Sequence, residues 1–130
     1  MNMVTEVTEG VRVSVEVEYQ PDYSSPGQYH YVFTYRVTIE NNSPRTIQLL
    51  RRRWHIIDAG YPMRLVEGDG VVGQQPVIEP GQMHQYVSGC NLKSGMGCMY
   101  GSYEVERLVD GMVLQVTIPR FQMIAPFKLN

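Results

Sequence analysis

Apolar side chains recur at every second position along most of this chain, and this period of two restricts the possible folds more than any other feature. From Val11 to Tyr19, every odd position is valine or tyrosine, and the even positions are polar. From Tyr29 to Ile39, the odd positions are again aromatic or β-branched. Side chains of a β-strand point to opposite faces in turn, so each run predicts a strand with one buried face.

A third alternating run ends at Asp58. Here we expect Leu50, Trp54 and Ile56 to share one face with Arg52 and Asp58. We expect Trp54, the single tryptophan of the chain, to lie in the core, as it does in many sandwich domains.

Clusters of Pro, Gly, Asn and Ser separate the alternating runs. They predict turns at 20–27 and 41–44, a type II turn at Pro80-Gly81 and a tight hairpin at Asp110-Gly111. The last clear strand is expected from Met112 to Ile118. No stretch shows the apolar period of a helix, so the residues predict about seven or eight short strands in a β-sandwich or a barrel.

Size and charge limit the classes of partner. A chain of 130 residues with a net charge of −2 is expected to form one domain that binds neither nucleic acid nor anionic membrane, since both call for a basic surface. The N-terminus lacks the pattern of a secretory signal, so we expect a cytoplasmic protein. Residues before about Thr8, and those after Pro126, are expected to be mobile.

The two cysteines, Cys90 and Cys98, are too few for a secreted disulfide framework. We expect two reduced, partly buried thiols, as is usual in the cytoplasm. Pairing across a hairpin is the alternative.

Glycines at 68, 70 and 73 give the spacing G-x-G-x-x-G. A dinucleotide fingerprint needs a helix after this motif, but Gln-Gln-Pro and a strand-like run follow here. The backbone N–H groups of Gly68, Gly70 and Gly73 could still form an anion-binding concavity for pyrophosphate or a nucleotide. Against this, Glu67 and Asp69 are acidic, and no lysine follows the last glycine.

The alternative interpretation of the glycine segment is structural. Glycines also permit a tight, irregular crossover between two strands. In that case Val71 and Val72 would pack inward.

Three arginines in succession alternate in direction on a strand. Arg51 and Arg53 are expected to point one way with His55, where they could clamp a phosphate or carboxylate. The alternative is a solvated sheet face, with Arg52 on the other side and paired with a carboxylate such as Asp58.

The sequence predicts no metal site and no cofactor. The histidines lie on separate segments without metal-ligand spacing. Glu67, Asp69 and Glu79 could offer oxygen ligands to a hard cation such as Mg²⁺, but so few carboxylates on loops would bind weakly.

No catalytic residues are predicted, and we expect no enzyme activity. The conceivable pair, Cys90 with His84, shares a strand face but is separated by ~20 Å along it, which is beyond hydrogen-bond reach.

Short groups of residues, spread in order along the chain from about Val11 to Pro126, resemble those of a known family. They are Tyr31-Val32-Phe33-x-Tyr35, Leu49-Leu50, Arg52, Trp54, Ile56, Asp58-Ala59, Val66, Gly68-x-Gly70-Val71-Val72-Gly73-x-Gln75-Pro76, Pro80-Gly81, Tyr86-x-Ser88-Gly89-Cys90, Met99-x-Gly101-Ser102-Tyr103 and Ile118-Pro119-x-Phe121. On these residues the chain resembles the bacterial ApaG family. It departs from the family pattern at 93–97, where Thr-Pro is usual, and at Arg53, where histidine is common.

The resemblance implies an all-β fold, namely an immunoglobulin-like or fibronectin type III-like β-sandwich of seven to eight mostly antiparallel strands, with residues 1–130 as a single ApaG domain. It also implies a link to cobalt and magnesium efflux. A related domain in eukaryotic F-box proteins suggests a binding module.

We therefore expect a non-enzymatic binding or adaptor domain, indirectly linked to Co²⁺ and Mg²⁺ efflux, with a protein partner. The alternative is a pyrophosphate- or nucleotide-binding protein that uses the Gly68–Gly73 loop with Arg51 and Arg53. The aromatic segments 29–35 and 121–127 are interpreted as core plus a packed tail, or as a partner face or homodimer edge.

Overall fold

Two antiparallel sheets face each other in the computed structural model, which describes residues 3–129. Strands β1 to β9 are Met3–Thr8, Val11–Tyr19, Tyr31–Asn41, Ile47–Asp58, Arg64–Asp69, Val77–Ile78, Met83–Leu92, Met96–Arg107 and Val113–Ile124. The first sheet has the order β1-β2-β3-β7, and the second has the order β5-β4-β8-β9, with β6 paired to β4. The helical segments of this range are single 3-10 turns. The all-β sandwich is confirmed.

Alternating side chains from both sheets meet in one core. Trp54 of β4 is buried and packs edge-on against Tyr35 of β3, Tyr103 of β8 and Phe121 of β9, with ring centroids 5.4, 6.4 and 5.9 Å away. Because Tyr35 belongs to one sheet and the other three rings to the second, this cluster joins the two layers. The predicted core position of Trp54 is confirmed.

The aromatic segments form core and a packed tail. Tyr31, Phe33 and Tyr35 are buried on β3. The ring of Phe127, beyond β9, lies 6.1 Å from that of Tyr19 and 6.0 Å from that of Tyr31. The tail thus covers one end of the core.

A β-bulge corrects one face assignment. The register of β4 against β8 slips between Leu49 and Arg51. The extra residue reverses the alternation, so Leu49 is 1% exposed and faces the core, whereas Leu50 is only partly buried. The prediction that Leu50 shares the face of Trp54 is therefore wrong, while the faces from Arg52 onward are as expected.

The last strand is longer than predicted and begins later. A second register shift, between Met99 and Gly101 of β8, places an irregularity in β9 around Pro119. Proline is tolerated at such a point because it need not donate to the ladder. The strand continues to Ile124, whereas Met112 lies outside it and is exposed, so its assignment to the strand is wrong.

The N-terminal segment is a strand. β1 pairs along its whole length with β2, from Met3 opposite Glu16 to Thr8 opposite Val11. The expectation of mobility is therefore wrong for residues 3–8, and residues 1 and 2 lie outside the described range. The strands are joined at Glu9 and Gly10, both with positive φ, which is the geometry of a two-residue hairpin turn.

The turn predicted at Pro80-Gly81 is confirmed, whereas Asp110-Gly111 lies in a wider connection, with four residues between the hydrogen-bonded Arg107 and Met112. Gly81 has a φ of +81°, and the N–H of Gln82 donates to the carbonyl of Glu79 across Pro80-Gly81 at 2.9 Å. Gly111 follows Asp110 with a φ of +69° in the connection between β8 and β9.

Asn41 provides a test of the turn that joins β3 to β4. Its buried side chain donates from Nδ2 to the carbonyls of Arg45 and Ile78, at 2.7 and 2.8 Å, and its Oδ1 accepts the N–H of Ser43 at 3.1 Å. Asn41→Ala leaves these groups without partners, so we expect the free energy of unfolding to fall by about 2–4 kcal/mol in denaturant titrations.

The matched control is Asn42→Ala, because Asn42 is the exposed neighbour. We expect it to change the free energy of unfolding by less than about 0.5 kcal/mol. Equal effects of the two substitutions would contradict the bonding role of Asn41.

Candidate functional site

The glycine segment begins at the end of β5, which includes Gly68, and continues as a tight turn through Gly73. Its tip is Val72-Gly73, with φ of +47° and +76°. The N–H of Val71 donates to the carbonyl of Gln74 at 2.8 Å, and the N–H of Gln74 donates back at 3.0 Å. The N–H of Gly70 donates to the carbonyl of Leu50 at 2.8 Å. Two amides of the segment, those of Gly70 and Val71, are thus already engaged within the protein.

The two valines of this turn have different environments. Val71 is 1% exposed and packs into the core, whereas Val72 is 65% exposed. The expectation that both pack inward is therefore wrong for Val72, because it occupies the tip of the turn.

Arg52 fixes the turn from the inner face of β4. Its Nη1 donates to the carbonyls of Asp69 and Gly70, at 3.1 and 2.9 Å. The guanidinium lies over Gly68, where an added Cβ would be 2.9 Å from its nitrogens. Gly70, with a φ of +63°, is therefore needed for the turn of the backbone, and Gly68 leaves room for the guanidinium of Arg52.

The interpretation that Arg52 pairs with Asp58 is wrong. The carboxylate of Asp58 instead accepts the N–H groups of Lys93 and Ser94, at 2.7 and 3.0 Å. The two side chains share a strand face, but six residues of strand separate them by ~20 Å.

Arg51 and Arg53 project from the opposite, outer face of β4. Arg51 pairs with Asp69 at 2.8 Å, and Arg53 with Glu67 at 3.8 Å, both across the β4–β5 ladder. On the same face the ring of His55 stacks on Tyr100, with 4.7 Å between ring centroids. The predicted anion-site arginines are thus separated from Arg52 by the sheet, and each faces a carboxylate.

The remaining candidates are dispersed. Cys90 and Cys98 are free thiols on strands of different sheets, and His84 shares β7 with Cys90. Within residues 3–129, no group of three or more His, Cys, Asp or Glu side chains is placed to hold a metal ion. None of the helices in this range has the length and hydrophobicity needed to span a bilayer.

A cleft that the sequence analysis did not predict opens between the two sheets, at the edges formed by β5 and β7. Its volume is about 230 Å³, and its walls carry both cationic and apolar groups. The lining residues that matter for its chemistry are Tyr35, Arg52, Trp54, Arg64, Val66, Ser88, Gly89 and Cys90.

Arg64 spans the mouth of this cleft. Its Nη2 donates to the backbone carbonyl of Asn91 at 2.6 Å and lies 3.9 Å from the sulfur of Cys90. Burial raises the pKa of the Cys90 thiol, and the charge of Arg64 opposes this in part. The cleft therefore contains a neutral thiol beside a fixed cation near neutral pH.

Tyrosine hydroxyl groups lie deeper between the sheets. The hydroxyls of Tyr86 and Tyr103 are hydrogen-bonded to each other. Burial raises the pKa of Tyr35, Tyr86 and Tyr103, so all three stay neutral, and the charge of Arg52 only partly offsets this effect. The charged groups that line the cleft are thus the two guanidinium groups, and the Asp58 carboxylate lies close enough to contribute to the raised pKa of Cys90.

Sequence reasoning missed this cleft because its residues come from five strands. One signal was available, since Arg64 and Val66 follow the same alternation as Gly68 and so lie on the inner face of β5. Which strand of the other sheet lies opposite could not be read from this alternation.

The fold and the turn define the chain as a small two-sheet β-sandwich domain with a glycine hairpin after an edge strand. The family model described as ApaG domain matches residues 21–107. The chain therefore belongs to the ApaG family.

Curated relatives carry the same family name over nearly the full length. Protein ApaG of Paramagnetospirillum magneticum is 44% identical over 126 residues, covering 97% of this chain and 96% of that protein. Protein ApaG of Brucella canis is 44% identical over 124 residues, covering 95% of both chains.

Solved structures agree on the fold. A Bordetella pertussis protein whose crystal structure carries the name ApaA has a TM-score of 0.85 at 39% identity, covering 89% of this chain and 94% of its own. A Bacteroides uniformis β-glucuronidase has a TM-score of 0.51 at 8% identity, with 83% of this chain and 12% of that chain covered. The latter likeness shows the fold alone.

The glycine turn gives a second test. Gly70 has a φ of +63°, and an added Cβ would overlap the carbonyl oxygen of Gln74. We therefore expect Gly70→Ala to lower the free energy of unfolding by about 2–4 kcal/mol in denaturant titrations.

The matched control is Gly73→Ala, where φ is +76° but an added Cβ meets nothing within 4 Å. Only the strain of positive φ applies there, so we expect a loss of about 1 kcal/mol. If Gly70→Ala were no worse than this control, the turn would not depend on the close approach at Gln74.

Proposed function

We propose that this ApaG-family chain is a non-enzymatic binding module that acts as an adaptor for a protein partner. The observation that carries the proposal is the free edge of β7. This strand is ten residues long, and among the described strands it pairs only with β3. Val87, near its middle, is 52% exposed. A long, open strand edge is a template on which another chain can add a strand.

The alternation of hydrogen bonds identifies the free backbone groups. The N–H of Asn41 donates to the carbonyl of Gln82, and the pairing of β3 with β7 continues in the same register. The backbone N–H and C=O groups of even-numbered residues of β7 therefore point toward β3. The carbonyl of Asn91 points the other way, because it accepts from Arg64. Gln85, Val87 and Gly89 therefore direct their N–H and C=O groups to the open side.

Edge strands are commonly protected by proline, lysine or an inward charge. Between Met83 and Leu92 the sequence has neither lysine nor proline, and both Met83 and Val87 are exposed. A partner strand would cover these groups. A second copy of this chain is one such partner, which would make the edge a homodimer contact.

As part of the same proposal, the link to Co²⁺ and Mg²⁺ efflux is indirect and acts through the partner. An indirect link is favoured because two of the candidate oxygen ligands for a cation, Asp69 and Glu67, each form an ion pair with an arginine. We place the protein in the cytoplasm, where the free thiols of Cys90 and Cys98 would persist. The net charge of −2 favours neither nucleic acid nor membrane as the partner.

The alternative proposal is pyrophosphate or nucleotide binding at Gly68, Gly70 and Gly73 with Arg51 and Arg53. The positive φ of Gly70 and Gly73 supports it, since such turns can expose amides to an anion. The geometry favours it less, because the Gly70 N–H is engaged and both arginines already face carboxylates.

The free edge can be tested by capturing partners from native cytoplasm on the immobilised protein and on its Val87→Pro variant. Proline removes an N–H that the fold does not use, and edge strands tolerate it. We expect partners held by strand addition to be lost from the variant, as identified by mass spectrometry.

Val87→Thr serves as the control, because it keeps both the N–H and the preference for a strand. We expect it to retain the partners. Unchanged capture by a folded Val87→Pro variant would refute binding at this edge. Sedimentation of the pure protein shows whether a second copy occupies the edge.

A further inference from the structure

The two guanidinium groups in the cleft between β5 and β7 have unused binding capacity. The ion pairs among residues 3–129 involve Arg12, Arg51, Arg53 and Arg107. Arg52 contacts only backbone carbonyls, both through Nη1, and Arg64 contacts a carbonyl and a thiol through Nη2. Since a guanidinium has five N–H donors, each retains donors for an anion.

The size of the cleft limits what can enter. Its volume of about 230 Å³ is below the range of about 300–1,000 Å³ that is typical of small-molecule pockets. Trp54 and Val66 line it between the arginines, so it is not purely polar. A space of this size suits one side chain with a charged end and an apolar stem, while the backbone of the ligand stays outside.

Gly89 indicates where that backbone lies. This exposed residue of β7 lines the cleft, and its φ is not positive. A Cβ added there would meet only the carbonyl oxygen of Phe33, at an ordinary 3.5 Å. Packing within the chain therefore does not require glycine here, whereas glycine in a strand costs conformational entropy. Its missing side chain would point to the outer face of the sheet, as that of Val87 does, so Gly89 leaves this part of the edge uncrowded.

We propose that the cleft binds an aspartate or glutamate side chain of an extended peptide segment that pairs with the free edge of β7. Gln85, Val87 and Gly89 bond the backbone of the segment, Arg64 at the mouth bonds its carboxylate, and Arg52 adds positive charge farther along the cleft. In strand addition, main-chain bonds give affinity and a pocket for a side chain gives specificity. The inference rests on the proposed function and specifies the chemistry of the partner.

Short acetylated peptides of Thr, Val and Ser with a single central Glu are a direct probe, with central Gln as the matched control. Binding is followed by chemical shifts and by the rate at which N-ethylmaleimide alkylates Cys90, because a seated peptide covers this thiol. Cys98 is buried and serves as an internal reference for unfolding. We expect the Glu peptide to bind about tenfold more tightly than the Gln peptide and to slow alkylation of Cys90.

Arg64→Gln is expected to remove this preference for Glu, and Arg52→Gln is expected to weaken it. Arg36→Gln is the control, because Arg36 is an exposed cation of the neighbouring strand β3 that faces away from the cleft. It is expected to keep the preference. Arg64→Gln is the decisive variant should Arg52→Gln fail to fold, since Arg52 also holds the glycine turn.

Equal affinity for the Glu and Gln peptides, or an unchanged preference in Arg64→Gln, would overturn the acidic-segment proposal. The proposal would also be overturned if inorganic phosphate or acetate protected Cys90 as effectively as the Glu peptide does. That result would indicate a site for small anions. Val87→Pro could lose the captured partners while the Glu and Gln peptides bind equally well. That result would support binding at the free edge of β7 and reject only the proposal that the cleft binds an acidic side chain.

Discussion

The packing of Trp54 between the two sheets is the interaction on which the rest of this structure depends. Its ring contacts Tyr35 of the first sheet and Tyr103 and Phe121 of the second. This cluster sets the separation of the layers beside β5 and β7. Because Trp54 and Tyr35 also line the cleft, the core and the candidate binding site share the same side chains.

Open edges are the consequence of building two sheets rather than a closed barrel. The edge of β9 lies close to β1 and β2, where the N–H of Thr117 donates to the hydroxyl of Thr8 at 3.1 Å. On the other side, β5 and β7 are bridged at Arg64 and leave the cleft between them. The position of the candidate site therefore follows from where the sandwich does not close.

The alternation of residues was enough to predict the strands and their buried faces, because a one-sided sheet imposes that pattern directly. The alternation did not give the correct prediction where a β-bulge adds one residue to a strand, at Leu50 and near Pro119. Such a bulge cannot be recognised within a run of apolar residues. The two-sheet fold was predicted from the family resemblance. The partner of Arg52 could not be predicted, because Asp58 shares its face but lies too far along the strand.

The candidate site was predicted less completely than the fold. The glycine turn was located correctly, but its glycines serve backbone turning and the guanidinium of Arg52. The cleft depends on which strands of opposite sheets lie together, and that is a tertiary property. Arg64 and Gly89 become informative only when β5 and β7 are seen side by side.

Hydrogen exchange of the individual amides of β7 tests whether this strand is a free edge that a partner covers. We expect rapid exchange at Gln85, Val87 and Gly89 in the free protein, slow exchange at Tyr86 and Ser88, and protection of the first three when a captured partner is bound. Protection of all five amides in the free monomer, or rapid exchange at the first three with the partner bound, would contradict it.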